Sequence, residues 1–138
     1  MRTYVSLFSS AGVGDYGFYQ AGFKLIASNE LLKRRMSVQL ANNVAEDERA
    51  YILGDITSED TKSKIISQVK KYTDDLDLLV ATPPCQGISV ANHFKKGEDI
   101  KRNSLVLQSI LIAEQLHPKF IVFENVHRFL KTACTDTD

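Results

Sequence analysis

Neither sign of charge is in excess in this 138-residue chain: Lys and Arg number 17, and so do Asp and Glu. The balance is local as well, with 8 basic and 8 acidic residues over 1–69 and 9 of each over 70–138. A chain that binds nucleic acid unaided usually carries a basic excess, so composition alone weighs against that role. Cysteine is scarce, at two residues, which excludes a disulfide framework and suits a reducing, cytoplasmic setting. No apolar run approaches the roughly 18–20 residues of a membrane span. The opening Met1-Arg2-Thr3-Tyr4-Val5 runs straight into strand-like sequence, without the apolar region of a signal peptide. Internal repeats and low-complexity segments are also missing. What is present, 43% apolar and 25% charged residues, is the profile of a globular domain, and the length accommodates one.

Apolar runs alternate with longer amphipathic ones. Strands are expected at 4–8, 24–28, 51–53, 76–81 and 119–123, the fourth apolar enough to be buried on both faces. Helices are expected at 16–21, 31–42, 58–72 and 104–116. Ser58 can cap the third, whose apolar stripe is Ile65, Ile66 and Val69, and Pro118 stops the fourth. A long loop fills 82–100. Strands alternating with helices imply a doubly wound α/β fold of about five parallel strands, with ligands at the carboxyl ends of the strands. The polar punctuation falls there: residues 9–14, Glu30, Asp55, 82–89 and Glu124-Asn125. Any one of these reads as a turn or a cap. Five on one edge of a sheet read as a site.

The first of them, Phe8-Ser9-Ser10-Ala11-Gly12-Val13-Gly14, is a small-residue turn that lets a ligand approach the backbone and a helix N-terminus. Glu30 lies about 20 positions further on, where a nucleoside-binding α/β fold grips ribose hydroxyls. Asp55 can accept a hydrogen bond from the exocyclic amine of adenine, or can simply turn the chain. Together they favour an adenosine-containing cofactor, with NAD and S-adenosylmethionine both open. The loop lacks the G-x-G-x-x-G spacing, and no hydride-transfer constellation is present, which sets a dehydrogenase aside.

After the fourth strand comes Thr82-Pro83-Pro84-Cys85-Gln86-Gly87-Ile88-Ser89. Two prolines stiffen the entry, and a cysteine at the ligand edge is a candidate nucleophile. With these residues in view, the chain resembles the DNA (cytosine-5)-methyltransferase family. The matching pieces are the loop from Phe8 to Gly12, Asn29-Glu30, Gly54-Asp55-Ile56, Pro83-Pro84-Cys85-Gln86, Arg102-Asn103-Ser104-Leu105 and Glu124-Asn125-Val126. Ala21-Gly22-Phe23 ahead of the second strand also fits.

The resemblance implies a Rossmann-like S-adenosylmethionine-dependent methyltransferase fold, with Cys85 and Glu124 as catalytic residues. Cys85 thiolate would add to carbon 6 of a cytosine flipped out of duplex DNA, while Glu124 holds N3 and the exocyclic amine. Phe8, Ser9, Ser10, Gly12, Glu30, Leu31, Asp55, Ile56, Pro84 and Leu105 would surround S-adenosylmethionine. His93-Phe94-Lys95-Lys96, continuing to Lys101-Arg102, resembles the mobile loop that closes on DNA. Two departures stand out. Ser10 and Val13 occupy positions where the family commonly or often has glycine. The Gln-x-Arg-x-Arg element, the target-recognition region and a late Gly-Asn segment have no counterpart after Val126, and two strands of the usual sheet are missing. Residues 1–138 are therefore expected to be a partial catalytic domain of a bacterial, cytoplasmic restriction-modification enzyme, either one subunit of a two-chain enzyme or a fragment. Weak cofactor binding and no sequence-specific methylation are expected of it alone. A transfer-RNA cytosine methyltransferase and a non-catalytic scaffold remnant are the competing expectations. Cys134, in a polar tail, has no motif context.

Overall fold

The computed structural model describes residues 1–84, 98–127 and 129. Five strands, Arg2–Leu7 (β1), Phe23–Glu30 (β2), Tyr51–Leu53 (β3), Leu78–Ala81 (β4) and Phe120–Phe123 (β5), form one sheet in the order β3-β2-β1-β4-β5. Every pairing is parallel. The helices Val13–Gln20 (α1), Lys33–Asn42 (α2), Glu59–Tyr72 (α3) and Glu98–Leu116 (α4) make the crossovers, and a short 3-10 turn, Glu48–Ala50, leads into β3. The expected doubly wound α/β architecture is the observed one.

The sheet alternates side chains between two apolar layers, as a strand's period of two requires. On one face Val5, Leu7, Ile26 and Leu79 meet Ile65 and Val69 of α3 and Ile112, Ala113 and Leu116 of α4. On the other, Tyr4, Leu25, Leu78 and Val80 pack with Phe18 of α1, Phe23 and Tyr51. Burying each large side chain contributes about 1.5–3 kcal/mol. Of the expected α3 stripe, Ile65 and Val69 are fully buried, and Ile66 packs half-buried against the same layer.

Several boundaries differ from the sequence expectation for identifiable reasons. β2 extends through two polar residues to Glu30, because Asn29 Nδ2 donates to the carbonyls of Ile52 (3.0 Å) and Gly54 (3.1 Å) and draws the strand end towards β3. α2 starts at Lys33 rather than 31. Leu32 is extended, and its N–H donates to Glu30 Oε1 at 2.8 Å, which holds the chain out of the helix. Ser58 stands at the N-cap position of α3 without a side-chain cap. Asp55 organises that entry instead, accepting from Thr57 N (2.9 Å) and Thr57 Oγ1 (2.8 Å). α4 begins at Glu98, not 104, so Lys101 and Arg102 are helical rather than part of a loop. Its end agrees with expectation: His117 turns left-handed ahead of Pro118.

One edge of the sheet is unlike the rest. β5 is wholly apolar, yet Phe120, Ile121 and Val122 are 70%, 44% and 43% exposed. Phe120 and Val122 pair with Leu78 and Val80 and so share the face of those buried residues, but nothing among the described residues covers them. Among the described residues, no helix is long and apolar enough to cross a membrane.

Candidate active site

The loop after β1 is held in shape from below. Phe8 and Ser10 both adopt left-handed backbone (φ 57° and 53°), as does Gly12 at 79°. This conformation is costly for a residue with a Cβ, so it needs support. Ser9 Oγ donates to the Asn29 carbonyl (3.0 Å), and Ser10 N–H donates to Glu30 Oε2 (2.9 Å). Gln39, reaching up from α2, donates to Ser9 Oγ (2.7 Å) and to the Ser10 carbonyl, and accepts from Ser28 Oγ (2.7 Å). Ser9, Ser28, Asn29, Glu30 and Gln39 are all buried. A buried polar cluster survives only when it is satisfied, and this one is densely bonded.

Glu30 is the hinge of the arrangement. Its two oxygens bind backbone N–H groups of different segments, Ser10 and Leu32, and Arg35 Nη1 lies 3.9 Å away. Charge-assisted bonds of this kind are worth about 1.5–3 kcal/mol each. Gly54 is required sterically: a Cβ there would run into Thr61 Oγ1 of α3. Beside it, Asp55 is exposed and has its Oδ1 engaged with Thr57.

Across the sheet, the chain leaving β4 is pinned at three points. Thr82 N–H donates to the Leu7 carbonyl (3.2 Å), and Thr82 Oγ1 to the Phe8 carbonyl (2.9 Å). Asn125 Nδ2 donates to the Pro83 carbonyl (3.1 Å), tying the end of β5 to the two prolines. Glu124 N–H donates to the Ala81 carbonyl (3.1 Å), and the Glu124 side chain is exposed. Cys85 lies outside the described residues, as does the loop stretch 93–96.

These pieces enclose one cavity of about 560 Å³, a size usual for small-molecule sites. Phe8, Ser10, Glu30 and Leu31 line one wall, Asp55 and Ile56 another, and Pro84, Leu105 and Glu124 the third. Nine of the expected site residues thus face one space. Ser9 and Gly12 do not: Ser9 is turned into the buried cluster, and Gly12 is backed by Gln39, whose Cγ lies 3.0 Å from where a Cβ would sit. Arg35, Asn29 and Asn125 line the cavity too, although only the two asparagines lay in recognisable sequence motifs. Gln39 gave no signal, being one polar residue in a polar helix. An acceptor carboxylate at Glu30, a second at Asp55 and the apolar Phe8, Ile56, Pro84 and Leu105 fit an adenosine-bearing group: hydroxyls and an amine to bind, a flat ring to sandwich. Among the described residues no group of His, Cys, Asp and Glu is placed to hold a metal ion.

A second hollow of about 560 Å³ lies at the opposite ends of the strands, beside Arg2, Thr3, Asp75, Asp77 and Lys119. Its charges satisfy each other, with Lys119 at 2.7 Å from Asp75 and 2.9 Å from Asp77. Lys119 and the Thr3 N–H hold the Asp77 carboxyl below its usual range. It has the character of a surface ion network.

Behind the loop, Asp15 of α1 is buried with Oδ2 unpartnered among the described residues. Burial pushes its carboxyl up, with the Ser6 and Tyr4 hydroxyls acting in the opposite direction. The neighbouring Tyr4 hydroxyl is likewise pushed up, by burial first and then by Asp15.

Comparison with known proteins agrees with this geometry. Residues 2–137 match the family described as C-5 cytosine-specific DNA methylase. The type II methyltransferase M1.HgaI of Avibacterium volantium is 35% identical over 133 residues, covering 92% of this chain and 35% of that protein. M.AquIA of Picosynechococcus is 35% identical over 122 residues, 88% of this chain and 47% of that protein. A crystal structure of a prophage-encoded DNA modification methyltransferase from E. coli superposes with a TM-score of 0.65 at 24% identity, over 91% of this chain and 32% of that one, and speaks to the fold. The chain spans between about a third and a half of the length of these relatives.

Proposed function

Since the chain belongs to the C-5 cytosine-specific DNA methylase family, we propose that it carries the cofactor-binding and catalytic portion of an enzyme that methylates carbon 5 of cytosine in DNA. The observation that carries the reading is the single cavity shared by the Phe8, Glu30 and Asp55 walls and the Pro84 and Glu124 wall. Such a space lets a methyl donor and a base meet.

S-adenosylmethionine, when bound, supplies an electrophilic methyl group. Glu30 would accept from its ribose hydroxyls, Asp55 from its adenine amine, and Phe8, Ile56, Pro84 and Leu105 would hold the ring. Cys85 follows Pro84 directly in the sequence, and Asn125 pins the Pro83 carbonyl just ahead of it. The Cys85 thiolate would bond to carbon 6 of cytosine, and the electron pair of the 5,6 double bond would move to carbon 5. Carbon 5 would take the methyl group as the methyl–sulfur bond breaks and S-adenosylhomocysteine leaves. Glu124, exposed and lining the cavity, would hold N3 and the exocyclic amine as charge shifts towards N3. Loss of the carbon 5 proton then expels Cys85 and restores the aromatic ring. Attack on the face of the base requires the cytosine to leave the duplex stack.

The reading includes a partner. Residues 1–138 would form a partial catalytic domain in a restriction-modification system, completed by a target-recognition region on a second chain or on further sequence. Balanced charge supports this, because the basic DNA-reading surface then lies elsewhere. The bare apolar β5 supports it too.

Incubation with duplex oligonucleotides containing 5-fluorocytosine tests the proposal, since fluorine blocks the final proton loss and strands the adduct. With S-adenosylmethionine and a partner chain, a covalent complex is expected that Cys85→Ser abolishes. A complex on transfer RNA and not on DNA, or none with any partner, overturns it.

A further inference from the structure

We propose that Gln39 is a positioning residue for the cofactor loop: from α2 it holds Ser10 in left-handed backbone and thereby keeps Glu30 at the cavity wall. The inference deepens the cofactor assignment above and rests on it.

Three observations converge on Gln39. Its carboxamide is buried and used at both ends, with Nε2 donating to Ser9 Oγ and the Ser10 carbonyl while Oε1 accepts from Ser28 Oγ. These partners fix the amide's orientation, because a flipped carboxamide would set its oxygen against the Ser10 carbonyl. Ser10 has a Cβ at φ 53°, a conformation that an isolated serine disfavours. It is restrained from both sides, its carbonyl by Gln39 and its N–H by Glu30. Gly12 leaves room for this contact, since a Cβ there would lie 3.0 Å from Gln39 Cγ.

The consequence reaches the cavity. Ser10 and Glu30 both line it, and the carboxylate that would take the ribose hydroxyls is aimed by the Ser10 and Leu32 N–H groups. If Ser10 relaxes to right-handed backbone, its N–H swings away from Glu30 Oε2 and the carboxylate loses one of its two anchors. Gln39 touches none of the expected ligand. It acts through Ser10.

The experiment uses the whole chain, Gln39→Leu and the double variant Gln39→Leu with Ser10→Gly. Binding of S-adenosylhomocysteine is measured by calorimetry, and amide hydrogen exchange is followed residue by residue without ligand. Gln39→Leu is expected to weaken binding by about tenfold or more. It should speed exchange at Ser10 and Leu32 while Val5 and Ile26 keep their protection. Adding Ser10→Gly should restore about fivefold of the affinity, because glycine adopts the left-handed conformation without penalty. Uniformly faster exchange throughout the core with unchanged affinity, or no recovery on adding Ser10→Gly, overturns the proposal. If the unsubstituted chain fails to bind S-adenosylhomocysteine, the cofactor assignment falls. The exchange rates at Ser10 and Leu32 still decide whether Gln39 holds the loop.

Discussion

The two halves of the sheet's carboxyl edge are built on different terms. Beneath the loops of β1 to β3, Ser9, Ser28, Asn29, Glu30 and Gln39 form a buried and mutually bonded cluster, so this half is rigid on its own resources. At β4 and β5 the cavity-lining Glu124 is exposed and Asn125 half-buried, fewer ties are made among the described residues, and the apolar β5 leaves Phe120, Ile121 and Val122 exposed. Each half finds its stability in a different place. The half assigned to the cofactor is preorganised by its own side chains. The half assigned to chemistry presents groups and a surface that gain their value when something else packs against them.

Removing a carboxylate from each half should separate the two most strongly. Glu30→Ala should cost about 2–4 kcal/mol, because it leaves the Ser10 and Leu32 N–H groups short of a partner, and should abolish S-adenosylhomocysteine binding. Glu124→Ala should change stability by no more than about 0.5 kcal/mol while ending adduct formation on 5-fluorocytosine DNA. Urea unfolding and calorimetry read both; equal losses of stability would erase the distinction. Gly54→Ala should cost about 1–3 kcal/mol, since its methyl meets Thr61 on α3. Asn125→Ala should cost about 1 kcal/mol through the lost bond to Pro83, read by urea unfolding.

The buried side of the sheet edge should also respond to pH. The buried Asp15 carboxyl is raised from its ordinary 3.8, so the folded chain holds this proton more tightly than the unfolded chain. Its contribution is therefore fully present below pH 3.8 and is lost as pH rises towards the folded value. Asp15→Asn removes that loss. A higher melting temperature is expected at pH 7, with the gain closing as pH approaches 3.8. The smallest effect on the chain itself belongs to Phe120→Lys on β5. Already 70% exposed, Phe120 should leave the melting temperature unmoved on replacement, whereas association with the proposed recognition chain should weaken in sedimentation measurements.

Much of the fold was legible because it is written in short-range pattern. The apolar runs at Val5, Ile26, Ile52, Leu79 and Ile121 mark five strands, and the stripe of Ile65 and Val69 marks α3. Boundaries were less legible wherever a side chain from a distant segment sets them. Glu30 keeps Leu32 out of α2, and Asn29 extends β2 by bonding the end of β3. The positions expected around the cavity came with the family resemblance, yet a motif does not say which way a side chain turns. Ser9 and Gly12 sit in the loop motif and face inward, whereas Arg35, with no motif, faces the cavity.

Local apolar periodicity encodes the alternation of strand and helix and the places where the strands end, while the Pro83-Pro84-Cys85-Gln86 and Glu124-Asn125-Val126 motifs carry the resemblance to the family. That Glu30 engages both oxygens with backbone N–H groups, and that Gln39 lies under Ser10, follows from tertiary packing alone. Packing also decides that β5 presents bare apolar surface. These are pairings across long stretches of chain, set by how α2 and the sheet edge pack, and no local pattern records them.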